Sequence, residues 1–187
     1  MKRTLKLVLY YFGYQLAFTI VASVISVVLA HLGMVDKDVA ILNATAIALL
    51  LSGIMMGWHL IHFKYITFGW KSFGEVPAKS LWLSIPFILA SMVFINLCSE
   101  FIDLPNWMEN DFFAMSRNLF GILSVAVMAP VVEEFLFRGA IEGHLLRQGK
   151  KPWTAIFISA LVFGLIHINP AQVPFAFAIG LVFGWLY

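Results

Sequence analysis

The sequence predicts an all-α fold, a polytopic bundle of about six transmembrane helices in a single membrane-embedded domain, residues 1–187. Of the 187 residues, 61% are hydrophobic and only 12% are charged, whereas soluble domains carry about 25% charged residues. Uncharged runs at Leu7–Val35, Val39–Phe63 and Ser80–Ser99 each reach the ~20 residues that span a hydrocarbon core. Pro152–Tyr187 contains no Asp, Glu, Lys or Arg and is longer than one span.

The spacing of apolar residues predicts where each helix lies along the chain. We predict helices at 5–32, 39–63, 80–102, 117–148, 153–168 and 171–187. The first apolar run is longer than the ~7–15 residues of a signal-peptide core, so we interpret it as a retained helix. Leu104–Ser116 mixes aromatic and acidic residues and is expected at the outer membrane interface. Residues 1–116 thus form the N-terminal helices and an interfacial segment, and residues 117–187 carry the motifs.

Loop charges alternate in sign with each predicted crossing. The basic residues are Lys2, Arg3, Lys6, Lys64, Lys71, Lys79, Arg147, Lys150 and Lys151. The acidic residues of the other loops are Asp36, Asp38, Glu100, Asp103, Glu109 and Asp111. The positive-inside rule therefore predicts a multi-pass protein of the cell membrane with a cytoplasmic N-terminus. Cys98 is the only cysteine of the sequence, so no intrachain disulfide can form.

The fourth predicted helix is too long for the bilayer. Residues 117–148 would extend roughly 48 Å, against ~30 Å of hydrocarbon. We expect Pro130 to kink this helix. Glu142, His144 and Arg147 are expected in its last turns, solvated by the cytosol.

Three charged side chains interrupt the apolar sequence at Glu133, Glu134 and Arg138. Each costs about 2.5–3.5 kcal/mol at the bilayer centre, so such residues usually have a function. A helical hairpin folded at about position 150 places Glu134 and His167 at the same depth, because both lie about sixteen residues from the turn. We therefore predict one site formed by the fourth and fifth helices.

Spacing within the motifs suggests the roles of the site residues. Glu134 and Arg138 are four residues apart in the order that favours an ion pair within one helix. Glu133 points ~100° away, has no intrahelical basic partner and suits a general base or acid. Phe163 precedes His167 by one turn, so its ring is expected beneath the imidazole. Glu133 and His167 could hold a water molecule between them or supply two ligands of a metal.

Two other interpretations remain open at this point. The Glu-Glu-x-x-x-Arg motif could lie at the cytoplasmic interface, with Arg138 extending to the lipid headgroups. His167 could be a hydrogen-bonded structural histidine.

Asn169, which precedes a proline, could open a polar niche or simply end its helix. His59 and His62 are interpreted as interfacial residues, and two Gly-x-x-x-Gly patterns, at 53–57 and 180–184, as helix-packing contacts.

Two motifs resemble those of the CAAX protease and bacteriocin-processing (Abi) family of intramembrane proteases. Glu-Glu-Phe-Leu-Phe-Arg at 133–138 is similar to the family's Glu-Glu-x-x-x-Arg motif, and Phe163-Gly-Leu-Ile-His167 to its Phe-x-x-x-His motif. The similarity extends from about Phe120 to Tyr187. It implies that Glu133 and His167 activate the attacking water, supported by Glu134 and Arg138.

The family's third motif, a His followed one turn later by Asn or Asp, does not occur after His167. We interpret this as a chain that is truncated within the family core. A divalent metal such as zinc would find two ligands in Glu133 and His167, whereas catalytic zinc usually has three protein ligands. A metal-free mechanism, with glutamate-activated water, is the alternative that the resemblance leaves open.

The sequence thus leads to two hypotheses. The first is an intramembrane endopeptidase that hydrolyses a peptide bond in a membrane-tethered or lipidated substrate, approached from the cytoplasmic side. The second is a non-catalytic immunity or scaffold protein of the same architecture. A transporter is disfavoured, because the sequence shows no repeat and only one cluster of ionisable groups. The expected partners are a peptide or prenylated protein and the lipid bilayer, but not nucleic acid.

Overall fold

The computed structural model describes residues 2–67 and 78–187, apart from the side chains at 78 and 81. All regular secondary structure of these residues is helical, which confirms the predicted class. The helices are α1 Lys2–His31, α2 Lys37–His62, α3 Ala78–Glu100, α4 Glu109–Ser116, α5 Leu119–Arg147, α6 Pro152–Leu165 and α7 Gln172–Leu186. Lys71, one of the basic residues used to predict the topology, lies outside the described residues.

Four helices of the described chain are long and apolar enough to cross a membrane, namely α1, α2, α5 and residues Trp82–Glu100 of α3. The last two helices are apolar but shorter, with 14 residues in α6 and 15 in α7. At 1.5 Å per residue they extend only about 21–23 Å. The predicted six helices are therefore present, but the last two are shorter than the ~30 Å of hydrocarbon and would cross it only where the bilayer is thinned.

Helix α5 alternates between α and π conformation. It is α-helical over Leu119–Ile122, Ala129–Glu133 and Gly143–Arg147, and π-helical over Leu123–Met128 and Glu134–Glu142. Pro130 is the second residue of the middle α-helical stretch, which directly follows the first π stretch. Because proline lacks an amide hydrogen, it cannot make the regular bond to the residue four positions earlier. Wider π turns flank this short α-helical stretch, and such turns often mark functional sites. The kink expected at Pro130 stays a prediction.

The chain folds into two compact units. One contains Met1–Lys64 and Glu109–Leu136, and the other contains Tyr65–Met108 and Phe137–Tyr187. The first unit therefore holds α1, α2, α4 and the N-terminal part of α5, while the second holds α3, the C-terminal part of α5, α6 and α7. Both motifs of the sequence are represented in the second unit, by Arg138 and by Phe163 with His167.

In the first unit, polar side chains join the helices. The Tyr14 hydroxyl of α1 is 2.8 Å from Nδ1 of His59 in α2. Asn118, which caps the start of α5, also donates a hydrogen bond to Asn43 of α2. Gly53 faces α5 so closely that a Cβ atom there would lie 2.6 Å from the side chain of Met128. Gly53 is therefore a packing contact as predicted.

In the second unit, α6 and α7 pack through small residues. A Cβ atom on Gly180 would lie 3.1 Å from both Cα and Cβ of Ala160, and one on Gly164 would lie 3.0 Å from the Val173 carbonyl oxygen. The predicted Gly-x-x-x-Gly contact at 180–184 is confirmed, because glycine alone permits this approach. Ser159 of α6 also donates a 2.9 Å hydrogen bond to the Phe137 carbonyl oxygen of α5.

Helix α6 ends three residues earlier than predicted. Its last residue is Leu165, and Ile168 has a φ of 59°, which no helix continues. Pro170 prevents the helix from continuing past this turn, since proline disfavours α conformation in Asn169, the residue before it. The backbone carbonyl of Asn169 then accepts hydrogen bonds from the amides of Gln172 and Val173 at the start of α7. His167 consequently lies in the α6–α7 turn rather than in a helix.

Candidate active site

Arg138 is a buried cation held by α6 and α7. It lies in the second π stretch of α5 and is 2% exposed. Its guanidinium carbon is 4.9 Å from the centre of the Phe163 ring and 5.5 Å from that of Phe183. Nη2 donates a 3.2 Å hydrogen bond to the carbonyl oxygen of Gly180. Two aromatic faces and a carbonyl dipole thus stabilise the charge away from water.

His167 is oriented by Phe163, the residue one turn earlier. Nδ1 of the imidazole is 2.8 Å from the Phe163 carbonyl oxygen, and the two rings meet edge to face with centroids 5.0 Å apart. A carbonyl oxygen only accepts hydrogen bonds, so Nδ1 carries the proton in this contact. In the neutral ring, Nε2 then carries the lone pair and can accept a proton or bind a metal.

Phe163 joins the two motifs. Its ring contacts the Arg138 guanidinium, and its backbone and ring fix His167. The Phe163 ring also meets that of Phe137 with centroids 5.0 Å apart, and these two phenylalanines lie equally far along the chain from Lys150. The predicted hairpin at position 150 therefore places residues of α5 and α6 at matching levels within this unit. The predicted packing of Phe163 on His167 is also confirmed.

Glu133 and Glu134 lie in the first unit, at the junction of an α and a π stretch in α5. Both side chains are half-buried. Within that unit, Glu133 interacts electrostatically with the hydroxyl group of Tyr11 in α1. The expected sharing of a water by Glu133 and His167, and the expected Glu134–Arg138 ion pair, stay predictions.

Asn169 connects the α6–α7 turn to the segment before α4. It is 2% exposed. Its side-chain oxygen accepts a 3.1 Å hydrogen bond from the Trp107 amide, and its side-chain nitrogen donates a 2.8 Å hydrogen bond to Oδ1 of Asn106. These contacts support the turn on which His167 lies.

The contacts of Asn169 concern the side of the membrane from which a substrate would approach His167. Asn106 and Trp107 belong to the segment predicted at the outer interface. With a cytoplasmic N-terminus, the α6–α7 turn would therefore lie toward the outer ends of its helices. His167 lies at the end of α6 remote from the Lys150 turn, and the expected cytoplasmic approach stays a prediction.

Sequence reasoning was wrong about one buried polar residue. Glu142 was expected to be solvated but is 1% exposed, and a Cβ atom on Gly184 would lie 2.8 Å from its Oε2. His59 is 6% exposed and bonded to Tyr14, and its expected place at the membrane interface stays a prediction. The sequence contained a signal for the burial of Glu142. Glu142 lies four residues after Arg138 in α5, and Gly184 lies four residues after Gly180 in α7, so the two pairs have the same spacing.

The described residues do not fit a three-ligand metal site. Catalytic zinc usually has three protein ligands. Within residues 2–67 and 78–187, no group of three or more His, Cys, Asp or Glu side chains is arranged so that it could hold a metal ion. Glu133 and His167 remain predicted as two ligands of a metal.

The family resemblance was tested by comparison with known proteins. Residues 115–187 match a family model described as type II CAAX prenyl endopeptidase Rce1-like. No curated protein and no solved structure gives a significant match. The matched segment contains both motifs, together with Phe163, Gly180 and Phe183, which contact Arg138. The match supports the family predicted from these motifs: residues 115–187 of this membrane protein are similar to the type II CAAX prenyl endopeptidases.

Proposed function

We propose that this protein is an intramembrane endopeptidase that hydrolyses a peptide bond in a membrane-tethered or lipidated substrate. The observation that carries the proposal is the bond from Nδ1 of His167 to the Phe163 carbonyl oxygen. It fixes the imidazole in one tautomer and leaves Nε2 as the basic nitrogen. A histidine held in this way can accept a hydrogen bond from water or from a reacting group.

The proposed reaction uses two acid–base groups. Glu133 removes a proton from a water molecule that Nε2 of His167 orients, and the resulting hydroxide attacks the scissile carbonyl carbon. The proton on Glu133 then passes to the leaving amine as the C–N bond breaks. The reaction requires that Glu133 and His167 contact the same water. Glu134 and Arg138 support the two groups from the same helix.

The substrate class follows from the matched family and from the setting. The family model describes endopeptidases that act on prenylated CAAX sequences, and four apolar helices of the described chain are long enough to span a membrane. A substrate with a prenyl or other lipid anchor is already concentrated at the bilayer, close to such an enzyme.

Cleavage by the purified protein tests the proposal. The protein in lipid nanodiscs is incubated with a prenylated reporter peptide, and the products are identified by mass spectrometry. We expect Glu133→Gln and His167→Asn to lower the rate at least about a hundredfold, as removal of a general base does. Glu109→Gln and His31→Asn, at exposed positions, are the matched controls. Cleavage that persists in Glu133→Gln would contradict the mechanism, whereas binding of the reporter without cleavage would favour the scaffold hypothesis.

A second experiment tests whether the two residues face each other. Cys98, the only native cysteine, is first replaced by serine. Glu133→Cys with His167→Cys is then treated in membranes with a short bifunctional thiol reagent. We expect an intramolecular cross-link in this pair and little in Val131→Cys with His167→Cys, because two residues along a helix turn the side chain roughly 200° away. Equal cross-linking of both pairs would argue against a shared water.

A further inference from the structure

Helix α7 contributes to Arg138 although it contains no residue of either motif. The Gly180 carbonyl oxygen accepts the hydrogen bond from Nη2, and the Phe183 ring lies 5.5 Å from the guanidinium carbon. The guanidinium also meets the ring of Phe163 at 4.9 Å. Arg138 is therefore in contact with aromatic rings of both α6 and α7.

Gly180 permits this arrangement because it has no side chain. A Cβ atom there would lie 3.1 Å from Cδ1 of Phe163 and 3.1 Å from both Cα and Cβ of Ala160. These distances are shorter than ordinary contacts, so any larger residue would displace α7 or the Phe163 ring. The close approach brings the Gly180 carbonyl within reach of Arg138. A helical carbonyl has a second lone pair, which allows it to accept this additional bond.

The contacts continue from Arg138 to His167 without a gap. Arg138 packs on the ring of Phe163, the carbonyl oxygen of Phe163 accepts the proton of Nδ1, and the Phe163 ring meets the edge of the imidazole. A shift of Phe163 therefore changes both contacts that orient His167. If α7 fixes the position of Phe163, it therefore also fixes the tautomer and the orientation of the His167 imidazole.

We propose that Gly180 and Phe183 are positioning residues: they hold Arg138 against Phe163 and thereby fix the carbonyl and the ring that orient His167. The catalytic consequence rests on the proposed function, whereas the orientation of the imidazole can be measured without it. Neither residue touches the reacting atoms. Both act through Arg138 and Phe163.

The first test separates positioning from packing with substitutions at Phe183. Phe183→Leu removes the aromatic face, and Phe183→Tyr keeps it. We expect Phe183→Leu to lower kcat roughly tenfold with KM changed less than about twofold, since a desolvated cation–π contact has that order of strength. Phe183→Tyr should retain the wild-type value. Phe157→Leu, which loses a ring contact with Phe177 but none with a cation, is the matched control.

Glycine substitutions give an independent test. We expect Gly180→Ala to displace the Phe163 ring and to lower kcat, because its new Cβ atom meets that ring and Ala160. Gly57→Ala in α2, where a Cβ atom would meet nothing within 4 Å, should leave the rate unchanged. Equal rates for Gly180→Ala and the wild type would contradict the role of Gly180.

The decisive measurement is the nitrogen-15 NMR spectrum of the imidazoles in nanodiscs, which does not depend on proteolysis. The His167 signals are assigned by their loss in His167→Asn. We expect the wild type to show the tautomer protonated at Nδ1, and Phe183→Leu and Gly180→Ala to show a mixture of tautomers. An unchanged His167 spectrum in both folded variants would overturn the proposal. A changed spectrum in a protein that cleaves no reporter would refute the protease function but support the positioning role.

Discussion

Replacement of Arg138 by lysine tests whether the planar shape of the guanidinium, and not its charge alone, stabilises the site. In the native protein the guanidinium meets two aromatic rings and donates to the Gly180 carbonyl oxygen at the same time. A lysine ammonium keeps the charge but is compact and has no planar face to place between two rings. It can retain the carbonyl bond or one ring contact, but not the complete set.

The expected loss can be worked from these contacts. A cation–π contact contributes about 0.5–1 kcal/mol at exposed sites and about 2 kcal/mol when desolvated. Arg138 is 2% exposed, so the larger value applies to a lost ring contact. We expect Arg138→Lys to lower the free energy of unfolding by about 2 kcal/mol. If the orientation of His167 depends on the same contacts, kcat falls roughly thirtyfold.

Arg117 provides the matched control within the same chain. Its guanidinium carbon lies 4.3 Å from the centre of the Phe113 ring, but the side chain is exposed. Arg117→Lys should therefore change the unfolding free energy by less than about 1 kcal/mol. Reversible unfolding in mixed detergent micelles measures both variants, and reporter cleavage measures kcat. If Arg138→Lys were no more destabilising than Arg117→Lys, the argument from guanidinium shape would be wrong.

Three further substitutions test the packing. Gly184→Ala should destabilise the protein by about 1–3 kcal/mol in detergent unfolding, because its Cβ atom would lie 2.8 Å from the Glu142 carboxylate, whereas Gly57→Ala should not destabilise it. Asn169→Ala should cost about 1–3 kcal/mol and speed hydrogen exchange at the Trp107 amide, which loses its acceptor. Tyr14→Phe should lower the free energy of unfolding by roughly 1 kcal/mol, since the buried His59 loses its hydrogen bond with the Tyr14 hydroxyl. A native-like unfolding free energy in Gly184→Ala, Asn169→Ala or Tyr14→Phe would contradict the corresponding contact.

The helix positions were predictable because long uncharged runs allow few alternatives. The exceptions have local causes. Helix α6 ends at Leu165, and Ile168 then leaves the helical conformation with a φ of 59°, which the periodicity of apolar residues does not reveal. The π stretches of α5 were not predicted either, since a run such as Leu123–Met128 carries no pattern that distinguishes π from α turns.

The site was predictable where its residues are polar and unpredictable where they are apolar. Arg138 and His167 stand out in a membrane sequence because their burial is costly. Gly180 and Phe183 do not, since α7 is apolar around its whole circumference and any residue of it could face lipid. Glu142 was misplaced because charge near a loop usually indicates solvent, whereas here a glycine of α7 makes room for the carboxylate.

The π stretch Glu134–Glu142 limits how the Glu-Glu-x-x-x-Arg motif can be transplanted. Each of its turns contains more residues than the 3.6 of an ideal α-helix, so successive side chains advance by a smaller angle. If the same sequence were placed on a regular α-helix, the side chains of Arg138 and Glu142 would point in directions that differ from those in this protein. Anyone grafting the motif onto a new scaffold would need to copy the overwide turns together with the residues.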